Sequence, residues 1–236
     1  MQIILDIDVA DKGLRALLAQ HWPLSGLWGF KLGDEVLKHG MTTALCPFGK
    51  KYNMFVDLKH YDVRGRLARI VKLYADLGEY APKFLTICGK SDQDAITEAV
   101  SVRGSIDIIV TGILSDQKRV GTEEDDQLEH MEKALQAGAQ GITCPAWLLP
   151  EFDWKNDFEN GHVIATGVMS ADVDPRHHRY PMPPEFALKY GATHAVIGTE
   201  VVAAKDPLGT LQELCSRYAA PKAPFVAPGS LVDRTV

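Results

Sequence analysis

The sequence lacks most of the short patterns that assign a function directly. Its four cysteines contain no CxxC pair, which argues against a zinc knuckle or a thioredoxin-type site, and we expect them to be reduced. It contains neither GxGxxG nor GxxxxGK[ST], so a dinucleotide or P-loop site has no support. His177 and His178 have no third ligand at a convincing spacing, so no metal is expected.

Long apolar runs and a surplus of positive charge are also missing. No run reaches the length of about 18 residues that a membrane span needs, and no basic-then-apolar leader follows Met1, so we expect a cytoplasmic protein without a membrane partner. The chain has 25 Lys and Arg against 31 Asp and Glu, a net charge of −6. Proteins that bind nucleic-acid phosphates usually carry a basic surplus, so no nucleic-acid partner is expected.

What the chain has in quantity is apolar sequence, 46% of 236 residues, arranged in short runs. Eight runs are predicted to be strands: 2–7, 26–32, 53–58, 84–88, 106–111, 141–144, 162–165 and 194–197. Stretches between them are predicted to be helices, among them 34–43, 91–102 (capped by Ser91) and 201–218. Residues 46–49 are predicted to interrupt the regular secondary structure.

This alternation predicts a parallel sheet, and eight strand–helix units predict a closed α/β fold, the (β/α)8 TIM barrel, over residues 1–218. Residues 219–236 form an Ala- and Pro-rich C-terminal tail that we expect to wrap the outside or to be partly disordered.

Charged residues cluster where the second and third predicted strands end. Strand three ends in Asp57-Leu58-Lys59, with Asp62 just beyond, and strand two carries Lys31. Asp57 and Lys59 share a face because side chains alternate along a strand. In a barrel these ends carry the chemistry. A structural ion-pair network is one interpretation, and a lysine held by carboxylates as a proton donor is the other.

The segment MFVDLKHYDVRGRL (54–67) resembles the DxKxxD segment of the orotidine 5'-monophosphate decarboxylase suprafamily, and the resemblance covers about residues 1–210. GFKLG resembles the family segment with the first catalytic lysine, here Lys31. The resemblance implies a lyase without a cofactor, which decarboxylates the small-molecule nucleotide orotidine 5'-monophosphate (OMP) to UMP in pyrimidine biosynthesis. It also implies a homodimer with shared active sites.

The resemblance also implies a role for each charged residue. LDIDVADKGLRALL resembles the first strand and helix of the family. This resemblance makes Asp8 the ribose-binding residue, with Asp6 as the alternative in a competing register of the alignment. Asp57 is the carboxylate near the carboxylate of the substrate, and Lys59 protonates the carbanion at C6 of the pyrimidine. Asp62 completes the array and reaches into the neighbouring site of the dimer.

Three further segments extend the resemblance. TGILSD (111–116) resembles the end of the fifth strand, where Ser115 would contact the pyrimidine, although a turn or cap serine is the alternative. IATGVM (164–169) resembles the start of the phosphate loop and contains Gly167. AVIGTEVVAAKDP (195–207) resembles the closing segment, in which Gly198 and the following backbone N–H groups would bind phosphate.

The chain departs from the family at the phosphate site. It has Thr199 where the family usually has an arginine, and Glu200 follows, which would repel a phosphate unless it points away. Arg176 and Arg179, in the most basic stretch of the chain, would replace the missing cation, because arginine binds phosphate in a bidentate manner. The alternative is a solvated surface loop.

Other functions therefore stay open beside OMP decarboxylation. One is decarboxylation of an unphosphorylated nucleoside or another acidic pyrimidine, and another is a non-catalytic nucleotide-binding barrel. A sugar-phosphate lyase of the same suprafamily is the third of these other functions. Its known members carry an acidic residue at the position of Lys31, so Lys31 favours the orotidylate branch.

Overall fold

The computed structural model describes residues 1–8, 10, 12–21, 23–49, 51–117, 120–154, 158, 161–170, 173 and 179–218. Its parallel strands form one closed barrel in chain order, in which β8 pairs with β1. The strands are β1 (Gln2–Asp6), β2 (Leu27–Leu32), β3 (Met54–His60), β4 (Phe84–Cys88), β5 (Asp107–Thr111), β6 (Gly141–Pro145), β7 (His162–Thr166) and β8 (His194–Ile197). The prediction of a (β/α)8 TIM barrel is confirmed.

Helices lie between the strands in sequence. The α-helices are α1 (Lys12–Gln20), α2 (Asp34–His39), α3 (Met41–Gly49), α4 (Arg64–Ala75), α5 (Gln93–Ser101), α6 (Glu123–Gln136), α7 (Pro184–Lys189), α8 (Thr199–Val202) and α9 (Pro207–Tyr218), with 3-10 turns at Gly78–Tyr80 and Ala146–Glu151. No helix in the described ranges is both long enough and apolar enough to cross a membrane. The predicted tail, 219–236, lies outside the described residues.

Two apolar layers hold the barrel together because side chains alternate between the two faces of each strand. The outer layer packs strand residues such as Val56 and Leu85 against helix residues such as Val71 and Leu214. The inner layer consists of Ile4, Trp28, Phe55, Phe84, Ile109 and Ile164. Each large apolar side chain that is fully buried contributes about 1.5–3 kcal/mol to stability.

Aromatic rings close the inner layer below the strand carboxyl ends. The rings of Trp28 and Phe84 stack with their centroids 4.1 Å apart, and the His194 ring meets Phe84 edge-on at 5.4 Å. We call Trp28, Phe84 and His194 the aromatic floor. Burial lowers the pKa of His194 to about 3, so the ring is neutral at ordinary pH.

Three local predictions were wrong. The helix predicted for 34–43 ends at Gly40, whose φ of 77° suits glycine, and α3 then runs through the predicted break at 46–49. The helix predicted for 201–218 is divided into α8 and α9, because Pro207 begins a new helix. Ser91 is not the cap of α5, since Asp92 occupies that position.

Candidate active site

A cavity of about 520 Å³ opens at the carboxyl ends of the strands. This volume suits a small-molecule ligand. The predicted site residues that line it are Lys31, Asp57, Lys59, Ser115, Gly167, Gly198 and Thr199. The structure therefore brings together residues of β2 and β3 with residues of the segments that follow β5, β7 and β8.

Lys31 lies at the centre of a group of carboxylates. Its Nζ is 2.8 Å from Asp6 Oδ2, 3.6 Å from Asp57 Oδ2 and 3.8 Å from Asp8 Oδ2, and only 12% of its side chain is exposed. Burial by itself would lower the pKa of Lys31, but Asp6, Asp57 and Asp8 outweigh burial and raise it. Lys31 is therefore a fixed positive charge.

Asp57 joins the two lysines of the cavity. Its Oδ2 accepts a hydrogen bond from Lys59 Nζ at 3.0 Å. Burial would raise the pKa of Asp57, but Lys31 and Lys59 lower it below its ordinary value, so the carboxylate is ionised. Its Oδ1 is buried and has no hydrogen-bond partner among the described residues. A buried acceptor of this kind is more typical of a functional site than of a structural ion pair.

Asp6, the last residue of β1, and Asp8, two residues beyond it, have different surroundings. Asp6 lines the cavity and pairs with Lys31. Asp8 Oδ1 instead accepts hydrogen bonds from the backbone N–H groups of Gly33 at 2.9 Å and Asp34 at 3.1 Å, at the start of α2. Burial is the main cause that raises the pKa of Asp8. Sequence reasoning treated Asp6 only as a competing register and missed its contact with Lys31.

Asp62 is not among the charged residues that line the cavity of its own chain. Its Oδ2 is 3.0 Å from Arg66 Nε, and its Oδ1 accepts a hydrogen bond from the Val63 N–H. Asp62 lies in the segment between β3 and α4 and is not among the residues that line the cavity. The predicted array of Lys31, Asp57, Lys59 and Asp62 is therefore not formed within one chain, and Asp6 supplies the further carboxylate.

Small residues form the end of the cavity at β7 and β8, and Glu200 is not among the residues that line it. Gly167 has a φ of 67°, and a Cβ on Gly198 would lie 2.9 Å from Asp6 Cβ, so both positions favour glycine. Thr199 lines the cavity beside Gly198. Glu200 accepts hydrogen bonds from the Ser170 backbone N–H, at 2.9 Å, and from the Ser170 hydroxyl.

The cations predicted to replace the missing arginine are not at this end in the described structure. Arg179 is exposed and is not among the residues that line the cavity. Arg176 lies outside the described residues. The described cations that line the cavity are Lys31 and Lys59, both already paired with aspartates. The described residues contain no group of three His, Cys, Asp or Glu side chains arranged to hold a metal ion.

The fold and the cavity define the class of this protein: a (β/α)8 barrel with a lysine–aspartate site at the carboxyl ends of its strands. The chain is 30% identical, over 195 residues, to the orotidine 5'-phosphate decarboxylase of Nitrosococcus oceani; the match covers 78% of this chain and 83% of that protein. The chain belongs to the orotidine 5'-phosphate decarboxylase family, as the DxKxxD segment indicated.

Other comparisons agree with this assignment. The chain is 26% identical over 196 residues to an orotidine 5'-phosphate decarboxylase of Neisseria meningitidis, with 78% of this chain and 79% of that protein covered. A crystal structure of orotidine 5'-phosphate decarboxylase from Lactobacillus acidophilus superimposes with a TM-score of 0.72 at 18% identity, over 93% of this chain and 99% of that one. At that identity the likeness supports the fold alone. None of the protein-family models compared with the chain matches it.

Proposed function

We propose that the protein catalyses decarboxylation of OMP to UMP without a cofactor. The observation that carries the proposal is the pairing of Asp57 with Lys59 at 3.0 Å in a cavity that also contains Lys31. The names of the relatives agree with it. We place the reaction in pyrimidine biosynthesis, in the cytoplasm.

The charges suggest how the reaction proceeds. The bond between C6 and the carboxylate carbon breaks, CO2 leaves, and the electron pair stays on C6. Lys59 then donates a proton from its ammonium to C6 and regains one from water. Lys31 and Lys59 are held in place before the substrate arrives, so they stabilise the developing negative charge without reorganisation. Asp57 holds the Lys59 ammonium in place through its hydrogen bond and lies beside the departing carboxylate.

The remaining roles follow the family. Ser115 contacts the pyrimidine, and Asp8 binds the ribose, with Asp6 as the alternative because it lines the cavity. Gly167, Gly198 and Thr199 contact the phosphate, and Arg176 and Arg179 provide its counter-charge when a ligand is bound.

We also propose a homodimer in which Asp62 serves the partner's site. Two exposed apolar side chains flank Asp62: Tyr61 is 68% exposed and Val63 is 73% exposed. Apolar exposure of this degree beside a functional carboxylate suits an interface. Burial against a second copy would bring the carboxylate towards the lysines of that copy. Equilibrium sedimentation of the wild type and of Val63→Asp tests this, and a monomeric wild type with full activity would contradict it.

One observation favours a second candidate, the same chemistry on an unphosphorylated nucleoside such as orotidine. The described cations that line the cavity, Lys31 and Lys59, belong to β2 and β3, and Glu200 adds a negative charge one residue beyond the lining residue Thr199. A dianion bound at the β7 and β8 end would have no described cation beside it. Orotidine places only a hydroxyl group at this end.

The test is a spectrophotometric assay of purified protein with OMP and with orotidine. We expect loss of the substrate absorbance with the wild type, and a loss of rate of about 100-fold or more in Lys59→Ala, since removal of a general acid typically costs 10²–10⁴. Lys38→Ala, on the exposed side of α2, is the matched control. Absorbance that stays constant with both substrates, or a Lys59→Ala variant as active as the wild type, would contradict the proposal.

Two other outcomes identify the remaining alternatives. Tight binding of UMP without turnover would indicate a non-catalytic nucleotide-binding barrel. Activity on sugar phosphates that depends on added Mg²⁺ would indicate a sugar-phosphate lyase.

A further inference from the structure

We propose that Thr86 is a positioning residue for the site, because its hydroxyl holds the irregular segment of β3 that presents Asp57 and Lys59 to the cavity. The inference rests on the proposed function only in that Lys59 is taken as the proton donor. Thr86 lies on β4 and is completely buried, so it acts from beneath the cavity and not as a ligand contact.

The pairing of β3 with β4 is irregular at the functional residues. Phe55 pairs with Phe84 and Val56 with Leu85, but the next pair is His60 with Ile87. The segment 57–59 of β3 therefore lies opposite the single residue Thr86 of β4. An irregularity of this kind, a β-bulge, re-aims side chains and is common next to active sites.

Lys59 has an unusual backbone conformation in this bulge. Its φ of 50° is the one positive value at a non-glycine residue in the described ranges. Such a conformation persists only where the surroundings hold it, and it is most frequent at functional sites. The Lys59 N–H donates a hydrogen bond of 2.7 Å to Thr86 Oγ1, where a regular strand would use a backbone carbonyl.

The same hydroxyl also contacts the first part of the bulge. Thr86 Oγ1 is 3.4 Å from the Val56 carbonyl oxygen, to which it donates a weak hydrogen bond. One side chain thus contacts the backbone immediately before Asp57 and immediately before the Lys59 side chain.

The test compares two substitutions that differ in the hydroxyl. Thr86→Val keeps the shape and removes the hydroxyl, whereas Thr86→Ser keeps the hydroxyl. Thr193→Val is the matched control, because Thr193 Oγ1 also accepts a backbone N–H, from Val163 at 2.9 Å, and donates to the Val163 carbonyl, but lies at the other end of the barrel.

Two readouts are measured. Hydrogen exchange of the Lys59 amide, followed by NMR, should be about 10-fold or more faster in Thr86→Val than in the wild type, and unchanged in Thr86→Ser and Thr193→Val. On OMP, kcat should fall about 10- to 100-fold in Thr86→Val with KM within about twofold, because a small misplacement of a catalytic group has this effect. Thr86→Ser should restore most of kcat.

The outcomes separate the two proposals. Unchanged Lys59 exchange in Thr86→Val overturns the role of Thr86, whether or not the wild type turns over OMP. A wild type without activity overturns the proposed function, while faster exchange in Thr86→Val alone still supports the positioning role. Equal losses of kcat in Thr86→Val and Thr193→Val overturn the inference as well, because they would show only a general loss of stability.

Discussion

Replacement of Lys31 by methionine tests whether the positive charge of Lys31 stabilises the folded protein by balancing the carboxylates around it. Lys31 is the partner of Asp6, Asp57 and Asp8, at 2.8, 3.6 and 3.8 Å. Methionine fills a similar volume without a charge, so the three carboxylates would face one another across a buried space. Removal of one partner of a buried ion pair costs about 3–5 kcal/mol, and we expect a loss in this range at pH 8.

The loss should depend on pH in a defined direction. Burial already raises the pKa of Asp8, and loss of Lys31 raises it further and removes the main cause that lowers the pKa of Asp57. A carboxyl group whose pKa is higher in the folded state than in the unfolded state costs stability above the folded pKa, and the cost disappears as protons bind. The destabilisation should therefore be smaller at pH 5 than at pH 8.

The assay is urea unfolding followed by fluorescence at both pH values, with Lys38→Met as an exposed control. A loss of less than about 1 kcal/mol at pH 8 would show that the ion pairs of Lys31 contribute no more to stability than exposed salt bridges do. An equal loss at both pH values would refute the account of coupled carboxylates.

Three further predictions follow. Glu200→Gln keeps the hydrogen bond to Ser170 but removes the charge. It should lower KM for OMP relative to KM for orotidine about tenfold, the equivalent of about 1.4 kcal/mol. An unchanged ratio of the two KM values would mean that Glu200 does not affect phosphate binding. The pKa of His194 is lowered to about 3, so the fold should lose stability progressively below pH 6.5, since the unfolded state binds the proton first. In calorimetry, His194→Phe should reduce the pH dependence of the unfolding free energy between pH 6.5 and about 4. An unaltered pH dependence would contradict this. Gly198→Ala places a Cβ 2.9 Å from Asp6 Cβ, and should cost about 1–3 kcal/mol of unfolding free energy and reduce kcat, whereas a fully active, equally stable variant would show that the backbone there yields easily.

Sequence patterns were sufficient for the barrel because each strand is a short apolar run followed by polar residues. They also predicted that Lys31, Asp57 and Lys59 lie close together, because a parallel barrel gathers the side chains at its strand ends, and all three line the cavity. Helix ends were less predictable. The division at Gly40 depends on a backbone φ of 77°, which one glycine among many does not reveal.

The rest of the site depends on contacts between distant segments. Asp6 and Lys31 are paired by the register between β1 and β2, and periodicity alone does not distinguish Asp6 from Asp8. Thr86 looks like an ordinary strand residue, and its role becomes visible only once the 57–59 bulge is placed opposite it. The contact of Glu200 with Ser170 joins residues 30 positions apart, and no local pattern in the chain announces it.

The aromatic floor has a consequence for how substrate enters the barrel and how products leave it. Trp28, Phe84 and His194 fill the interior beneath the charged residues, so the described part of the barrel is a well that opens at the carboxyl ends of the strands. Under the proposed chemistry, substrate, CO2 and product all use the same mouth. Lys59 has 39% of its side chain exposed there, against 12% for Lys31. Water at the mouth can therefore return to Lys59 the proton it donates in each cycle, while Lys31 keeps its own.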